Sequence, residues 1–378
     1  MDPETSHIYI QCGRTGGNAL NVAISHIFPF NELSYKYGSA ERNVPDLTVL
    51  TEKLKSDFKP VVLGHLPFGI HRELDRPYRY FASFREPISR ILSSFHAWSP
   101  NLTSADISKE ELNDLICQYI EDSFDCSNGM TKMIRGYHFD NKRNIAFDFL
   151  KNQEISNDIE VTEDDYKIAL GHLKNEVGCV LIQGYHAVNS VLTQEFLDCA
   201  PLYSVTFQGY NRRKFRLDRK FISESTMKMI RERNHWDFKL YDEAFKIFTL
   251  EKERLQRDHP EYLELIAMID GICTSPDGAS AMPVAVFEHR LVMATNLLLQ
   301  KKRRDLVVGL CLLLAIRPEY RRAFQARIRE ILMKIGTPED LKSFDELENG
   351  KREVSTFRDS LEVFQASSAF KSDRHLNA

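Results

Sequence analysis

Three short stretches of the chain carry residues suited to holding anions. In CGRTGGNAL, Cys12 to Leu20, the glycines Gly13, Gly16 and Gly17 and one arginine, Arg14, follow the apolar run HIYIQ and precede a stretch of helical period. Glycines at a strand-to-helix turn let backbone N–H groups close on an anion, and the helix dipole favours negative charge at the same place. Phosphate or sulfate is the ligand that fits; the plain alternative is glycines that only make the turn. In VVLGHLPFG, His65 stands just past a second apolar run. In YRYFASFREPISRILSSFHAW, a third run ends at Arg85, and Ser93 comes eight residues later, just over two helical turns on. An arginine at a strand end and a serine on the next helix can hold a second phosphate.

Spacing excludes two common readings of the glycine turn. A nucleoside-triphosphate loop needs GxxxxGK followed by Ser or Thr, and neither a lysine nor a hydroxyl follows Gly17. A dinucleotide fingerprint needs GxGxxG, which Gly13, Gly16 and Gly17 do not make. Taken singly, His65 reads as a capping or core residue as readily as a base, and Arg85 as an ion-pair partner of Glu86 or Asp75. The basic run Asn211-Arg212-Arg213-Lys214-Phe215-Arg216 is a solvated loop, a lid or a grip on an acidic acceptor. His71, Glu86 and His96 can also serve an acceptor, but spacing selects none of them.

Taken together, these stretches resemble the sulfotransferases that use 3′-phosphoadenosine 5′-phosphosulfate (PAPS), the broad group with the Golgi carbohydrate sulfotransferases, and in style the heparan sulfate 2-O-sulfotransferases. The family's P-K-T-G-[GS]-T-[TS] motif reads here Gly13-Arg14-Thr15-Gly16-Gly17-Asn18-Ala19, and its R-D-P followed by R and S reads Arg85-Glu86-Pro87 with Arg90 and Ser93. Gly64-His65 is similar to the position of the family's catalytic histidine. SNGMTKMIRG, Ser127 to Gly136, resembles its N-x-x-T-x-x-x-x-G segment, and NHWDFKLYDEA, Asn234 to Ala244, its N-x-x-D-x-x-L-Y-x-x-A helix.

The resemblance spans residues 7–250. It implies that residues 13–19 cradle the 5′-phosphosulfate, that Arg85 and Ser93 bind the 3′-phosphate, and that His65 acts as general base with Arg14 stabilising the transferring group. The donor is then PAPS, the product 3′-phosphoadenosine 5′-phosphate (PAP), and no metal is needed. The acceptor is a hydroxyl of a carbohydrate, a lipid-linked glycan or a small metabolite. Two departures stand out: Arg14 replaces the family lysine, and Asn18 and Ala19 replace two threonines. Arginine keeps the charge but releases a proton far less readily and has a different reach. A nucleotide-binding scaffold with weak or no turnover is therefore the main rival, and a nucleotide or small-molecule kinase a weaker one.

The elements that must position these residues follow from hydrophobic period. Apolar runs alternate with helical stretches through the first half, the pattern of an α/β fold with a parallel, P-loop-like sheet and crossover helices. Strands are expected at Ile8 to Cys12, Leu33 to Tyr37, Val61 to Gly64, Tyr78 to Phe84 and Cys179 to Gln183, with helices starting near Gly17, Asp46, Pro87, Ser108, Thr162 and Val188. Ile88, Ile91, Leu92 and Phe95 mark one face of the helix that Pro87 opens. From Ser223 onward only helices are expected: Ser223 to Arg233, Trp236 to Arg257, Pro283 to Lys301, Arg304 to Ile316, Pro318 to Ile335 and Pro338 to Leu347. The chain is expected to divide into a sulfotransferase-like domain, 1–260, and a helical C-terminal region, 261–378, with a frayed tail, and proline and glycine near Ser275 to Ala281 suggest a linker. Acceptor loops are expected within 99–118 and 141–163.

Composition narrows the classes. The chain has 378 residues, 43% of them hydrophobic, and a net charge of −4, so it builds a large core and lacks the basic field of a nucleic-acid binder. The acids and proline of MDPETSHIYI do not make a secretory signal, and the apolar run from Asp305 to Ile316 is too short to cross a membrane. Seven scattered cysteines without a CxxC pair fit reduced thiols and a cytoplasmic location. The C-terminal helices are the expected surface for a protein partner or self-association.

Overall fold

The computed structural model describes residues 4–17, 20, 23–24, 55–56, 58, 60–64, 66–99, 107–123, 126–136, 160–201, 219–273, 284–301 and 303–366. The expected strand at Leu33 to Tyr37, the helix near Asp46, the linker, the basic run 211–216 and residues 367–378 lie outside them.

Among the described residues four strands form one parallel sheet: β1 (Ser6–Gln11), β2 (Val61–Val62), β3 (Tyr78–Phe84) and β4 (Val177–Ile182), in the order β2-β1-β3-β4. Every residue of β1 is buried, as expected where helices cover both faces of a parallel sheet. Register sets Gln11 opposite Ser83, so the turn after β1 and the end of β3 emerge at the same level. In chain order β1 leads to β2 on one side, while β3 leads to β4 on the other. The strand order thus reverses between β1 and β3, and the crevice at their carboxyl ends is where open α/β sheets bind ligands.

The backbone at Gly17, Leu20, Ala23 and Ile24 is helical after β1. After β3 comes α1 (Pro87–Trp98), then α2 (Lys109–Asp122), α3 (Gly129–Arg135) and α4 (Glu163–Asn175). Ser108 and Thr162 close capping boxes with Glu111 and Asp165 at the starts of α2 and α4. Beyond β4 lie α5 (His186–Leu197), α6 (Glu224–Arg233) and α7 (His235–Asp258). The C-terminal helices are α8 (Pro260–Cys273), α9 (Val284–Gln300), α10 (Arg304–Ile316), α11 (Pro318–Ile335), α12 (Pro338–Glu348) and α13 (Phe357–Ala366).

The α/β class is as expected, with local corrections. The second strand is only Val61–Val62, and the chain bends at Gly64, whose carbonyl still accepts from the Gln11 N–H at 3.2 Å. Residues 109–118, within the segment expected to hold an acceptor loop, belong to the helix expected from near Ser108. Helices α3, α8 and α13 were not anticipated. In α8 the buried Tyr262, Leu265, Ile266 and Ile269 fall at i, i+3, i+4 and i+7, a period masked by the long helix that ends one residue before it.

Beside a smaller cluster that joins α1, α2 and α6, the main hydrophobic core among the described residues runs from Ile8 in β1 to Phe364 in α13. Polar contacts fasten the C-terminal helices to it. Tyr262 Oη donates to Gln194 Oε1 in α5 at 2.7 Å, Arg317 Nη1 to the Pro201 carbonyl at 2.8 Å, and the Phe357 N–H to Asp198 Oδ1 at 3.2 Å. No helix among the described residues is long and apolar enough to cross a membrane.

Candidate functional site

The turn after β1 is held by a file of hydroxyls beneath it. Thr15 Oγ1 donates to the Cys12 carbonyl at 2.7 Å and lies 2.6 Å from Ser83 Oγ, which lies 2.5 Å from Tyr9 Oη. Each hydroxyl has one proton, so the order is fixed: Tyr9 donates to Ser83, Ser83 to Thr15, and Thr15 to Cys12. The Thr15 side chain is thereby committed to the sheet, and only its backbone N–H is left for a ligand. Burial pushes the Tyr9 phenol well above its ordinary value, keeping it a donor.

Above this anchor the backbone turns through left-handed conformations at Arg14 (φ 64°) and Gly16 (φ 89°). Gly17 has no room for a side chain, since a Cβ there would stand 2.4 Å from the buried Gln11 side chain. Gly13 and Arg14 are half-buried and Gly16 is exposed, so the top of the turn faces solvent.

The three polar residues singled out from separate elements meet at this crevice. Arg85 Nη1 donates to the Arg14 carbonyl at 3.1 Å, and Arg14 Nε donates to Ser93 Oγ in α1 at 3.3 Å. Arg85 and Ser93 are both half-buried. Glu86 caps α1, accepting from the Ser89 N–H at 2.8 Å and the Ile88 N–H at 3.3 Å, so the helix terminus is satisfied by its own carboxylate. Glu86 takes Arg219 as its ion-pair partner.

Arg219, which sequence reasoning passed over, also donates to Ser89 Oγ at 3.3 Å. Ser89 and Ser93 stand four residues apart, on one face of α1. The hydroxyls of Ser93 and Ser89 are therefore flanked along that face by the guanidinium groups of Arg14 and Arg219. The arrangement can take an anion at the glycine turn and another along α1. Arg219 lies in DRKF, just past the basic run, and that adjacency was its only signal in the sequence. Of the predicted residues, Gly13, Arg14, Thr15, Gly16, Gly17, Arg85 and Ser93 come together here, whereas Asn18, Ala19 and His65 lie outside the described residues.

A buried polar network stands behind α1. Asn128 Oδ1 accepts from the Trp236 and Asp237 N–H groups at 2.9 and 3.1 Å, capping α7, while Asn234 Oδ1 accepts from the Asn128 N–H at 3.1 Å. Asp237 accepts from the Thr131 N–H at 2.7 Å, Thr131 Oγ1 at 2.8 Å and the Met130 N–H at 3.1 Å, capping α3 in return. Arg90 of α1 reaches Asp237 Oδ2 at 3.4 Å, both side chains fully buried. Burial pushes the Asp237 carboxyl up, and Arg90 with the three α3 donors works against that push. Ser127 to Gly136 and Asn234 to Ala244 thus cap each other's helices and tie both to α1.

Among the described residues no group of His, Cys, Asp and Glu could hold a metal ion. The chain matches no protein-family model, no curated protein and no solved structure.

Proposed function

We propose that the chain is a sulfotransferase that moves a sulfuryl group from PAPS to an acceptor hydroxyl, on a P-loop-like nucleotide site at the carboxyl ends of β1 and β3. The observation that carries this reading is the convergence of Arg14, Arg85 and Ser93, from three separate elements, beside a glycine turn with left-handed Arg14 and Gly16. Two anion sites side by side suit a nucleotide with phosphates at both its 5′ and 3′ positions. The order and spacing of the motifs support the same assignment.

In this reading the backbone N–H groups of residues 15–18 and the Arg14 guanidinium hold the 5′-phosphosulfate, while Arg85 and Ser93 hold the 3′-phosphate, with Arg219 at the far end of the row. The acceptor oxygen attacks sulfur in line. Its bond to sulfur forms as the bond from sulfur to the bridging phosphate oxygen breaks, and the electron pair of that bond leaves with PAP. The acceptor proton goes to His65, a role that rests on the resemblance alone. The reaction calls for positioning and charge stabilisation rather than a covalent enzyme intermediate.

The test is nucleotide preference followed by transfer. PAP is expected to bind more tightly than AMP by about tenfold or more, the worth of a charge-assisted contact to the extra phosphate. Sulfuryl transfer to one of a panel of hydroxylated acceptors then follows with labelled PAPS; equal affinity for PAP and AMP refutes the reading. The engagement of Arg14 Nε by Ser93 favours one rival, a nucleotide-binding scaffold. That rival predicts the same PAP preference with no transfer to any acceptor, and no change in Arg14→Lys.

A further inference from the structure

The reading above requires the two phosphate sites to keep a fixed separation, yet one is on the turn after β1 and the other on α1 and on Arg85, just past the end of β3. We infer that Arg90, acting through Asp237, is a positioning residue for the second phosphate, holding α1 so that Arg85 and Ser93 face Arg14. This inference rests on the proposed nucleotide site.

Arg90 lies between Arg85 and Ser93 in sequence and less than one turn before Ser93 on the same helix. Its guanidinium ends on a carboxylate that α1 does nothing to place. Asp237 belongs to the first turn of α7, and the Met130 N–H, the Thr131 N–H and the Thr131 hydroxyl, all from α3, fix its two oxygens. The start of α3 is in turn tied to α7 through Asn128 and Asn234. The anchor for Arg90 is therefore a rigid two-helix unit.

A buried ion pair is a weak source of stability, because the cost of desolvating both charges offsets their attraction, and apolar side chains of the same volume pack as well. Its distinctive contribution is direction. Apolar packing tolerates a small rotation or slide of α1, whereas a guanidinium with zero exposure must keep its carboxylate. Any movement of α1 that separates Arg90 from Asp237 also carries Ser93 away from Arg14 and disturbs the end of β3 that presents Arg85.

The experiment compares PAP and AMP binding by calorimetry in the full chain and in Arg90→Met, Arg90→Lys and Thr131→Val. AMP carries only the 5′-phosphate, so the ratio of the two affinities reads the second phosphate site. In Arg90→Met, PAP affinity is expected to fall about tenfold and AMP affinity by less than about twofold; in Arg90→Lys, which keeps a charge near Asp237, the PAP loss is about threefold. Thr131→Val removes one of the three donors that fix Asp237 while leaving the Arg90 pair in place, and should lower Tm and move the ratio by less than about twofold.

Equal losses of PAP and AMP in the Arg90 variants, or a ratio that moves as far in Thr131→Val as in Arg90→Met, overturn the inference and make the network purely structural. If Arg90→Met does not fold, Arg90→Lys decides alone, and a wild-type ratio in it overturns the inference. A wild-type chain without a preference for PAP removes the nucleotide reading and this role with it, an outcome seen before any variant is made.

Discussion

Arg14 adopts a left-handed backbone that costs a residue with a Cβ about 1–2 kcal/mol, while its side chain reaches across the crevice to Ser93. A strained arginine in a glycine turn is the kind of backbone outlier that functional sites store. Arg14→Ala removes both the charge and the tether, and PAP affinity is expected to fall about tenfold by calorimetry. On the proposed sulfotransferase reading, Arg14→Lys keeps the charge and supplies a group that releases a proton more readily, so transfer is expected to speed up while PAP affinity changes by less than about threefold. Thr15 makes a separate prediction, because its hydroxyl supports the sheet rather than the ligand. Thr15→Val strands the Ser83 proton in a buried site and should cost about 1–3 kcal/mol in urea denaturation.

At the scale of elements, the segment from Leu66 to Leu74 that leads from β2 to β3 is set by one phenol and one glycine. Tyr80 Oη accepts from the Gly69 and His71 N–H groups, each at 3.2 Å, so its own proton goes to His71 Nδ1 at 3.0 Å. In the neutral ring the one proton of His71 is then on Nε2. His172 of α4 stacks on Phe68 at 3.9 Å and donates through Nδ1 to the Ile134 carbonyl at 3.0 Å. Burial lowers both histidines below the ordinary value of 6.5, with Arg72 adding to the effect and Glu176 opposing it.

The sign of the pH effect follows. As pH falls below 6.5 the unfolded chain takes up these protons before the folded one does, so stability present above 6.5 is lost until the lowered folded values are passed. Denaturant midpoints should therefore fall on acidification from neutral pH, and His71→Gln should flatten that dependence. Gly136 closes α3 at φ 77°, where a Cβ would stand 2.3 Å from the Phe68 carbonyl oxygen. Gly136→Ala is expected to cost about 2–3 kcal/mol, read as a lowered denaturant midpoint.

For the molecule as a whole, the continuous core means that the C-terminal helices cover surface that the sheet layer cannot leave bare. The buried Tyr262 and Gln194 bond across the junction, and Leu265, Ile266 and Ile269 of α8 lie in the same core as Val191 and Leu197 of α5. A chain truncated after Asp258 is expected to aggregate or unfold. A soluble, cooperatively folded fragment with an unchanged Tm would instead show that the C-terminal helices are an independent appendage. The groups that bind α13 and the α10–α11 junction to Asp198 and Pro201 predict the same outcome.

What the sequence determined by itself was whatever depends on near neighbours. Pro87, Ser108, Thr162 and Ser223 mark helix starts because capping and proline geometry are local, and Tyr78 to Phe84 reads as a strand because aromatic residues dominate it. Arg14, Arg85 and Ser93 were legible as anion-binding types at suitable spacings. Their meeting was decided only by strand order and register, which set Gln11 beside Ser83 across 72 residues of chain. Arg219, Asn128, Thr131 and Asp237 show the same limit from the other side. Each acts through a partner more than a hundred residues away, and hydrogen bonds of that reach leave no local period to read. The two short stretches around Asn128 and Asn234 could be noticed as patterns, but that they cap each other's helices and hold α1 by Arg90 is a property of the folded chain alone.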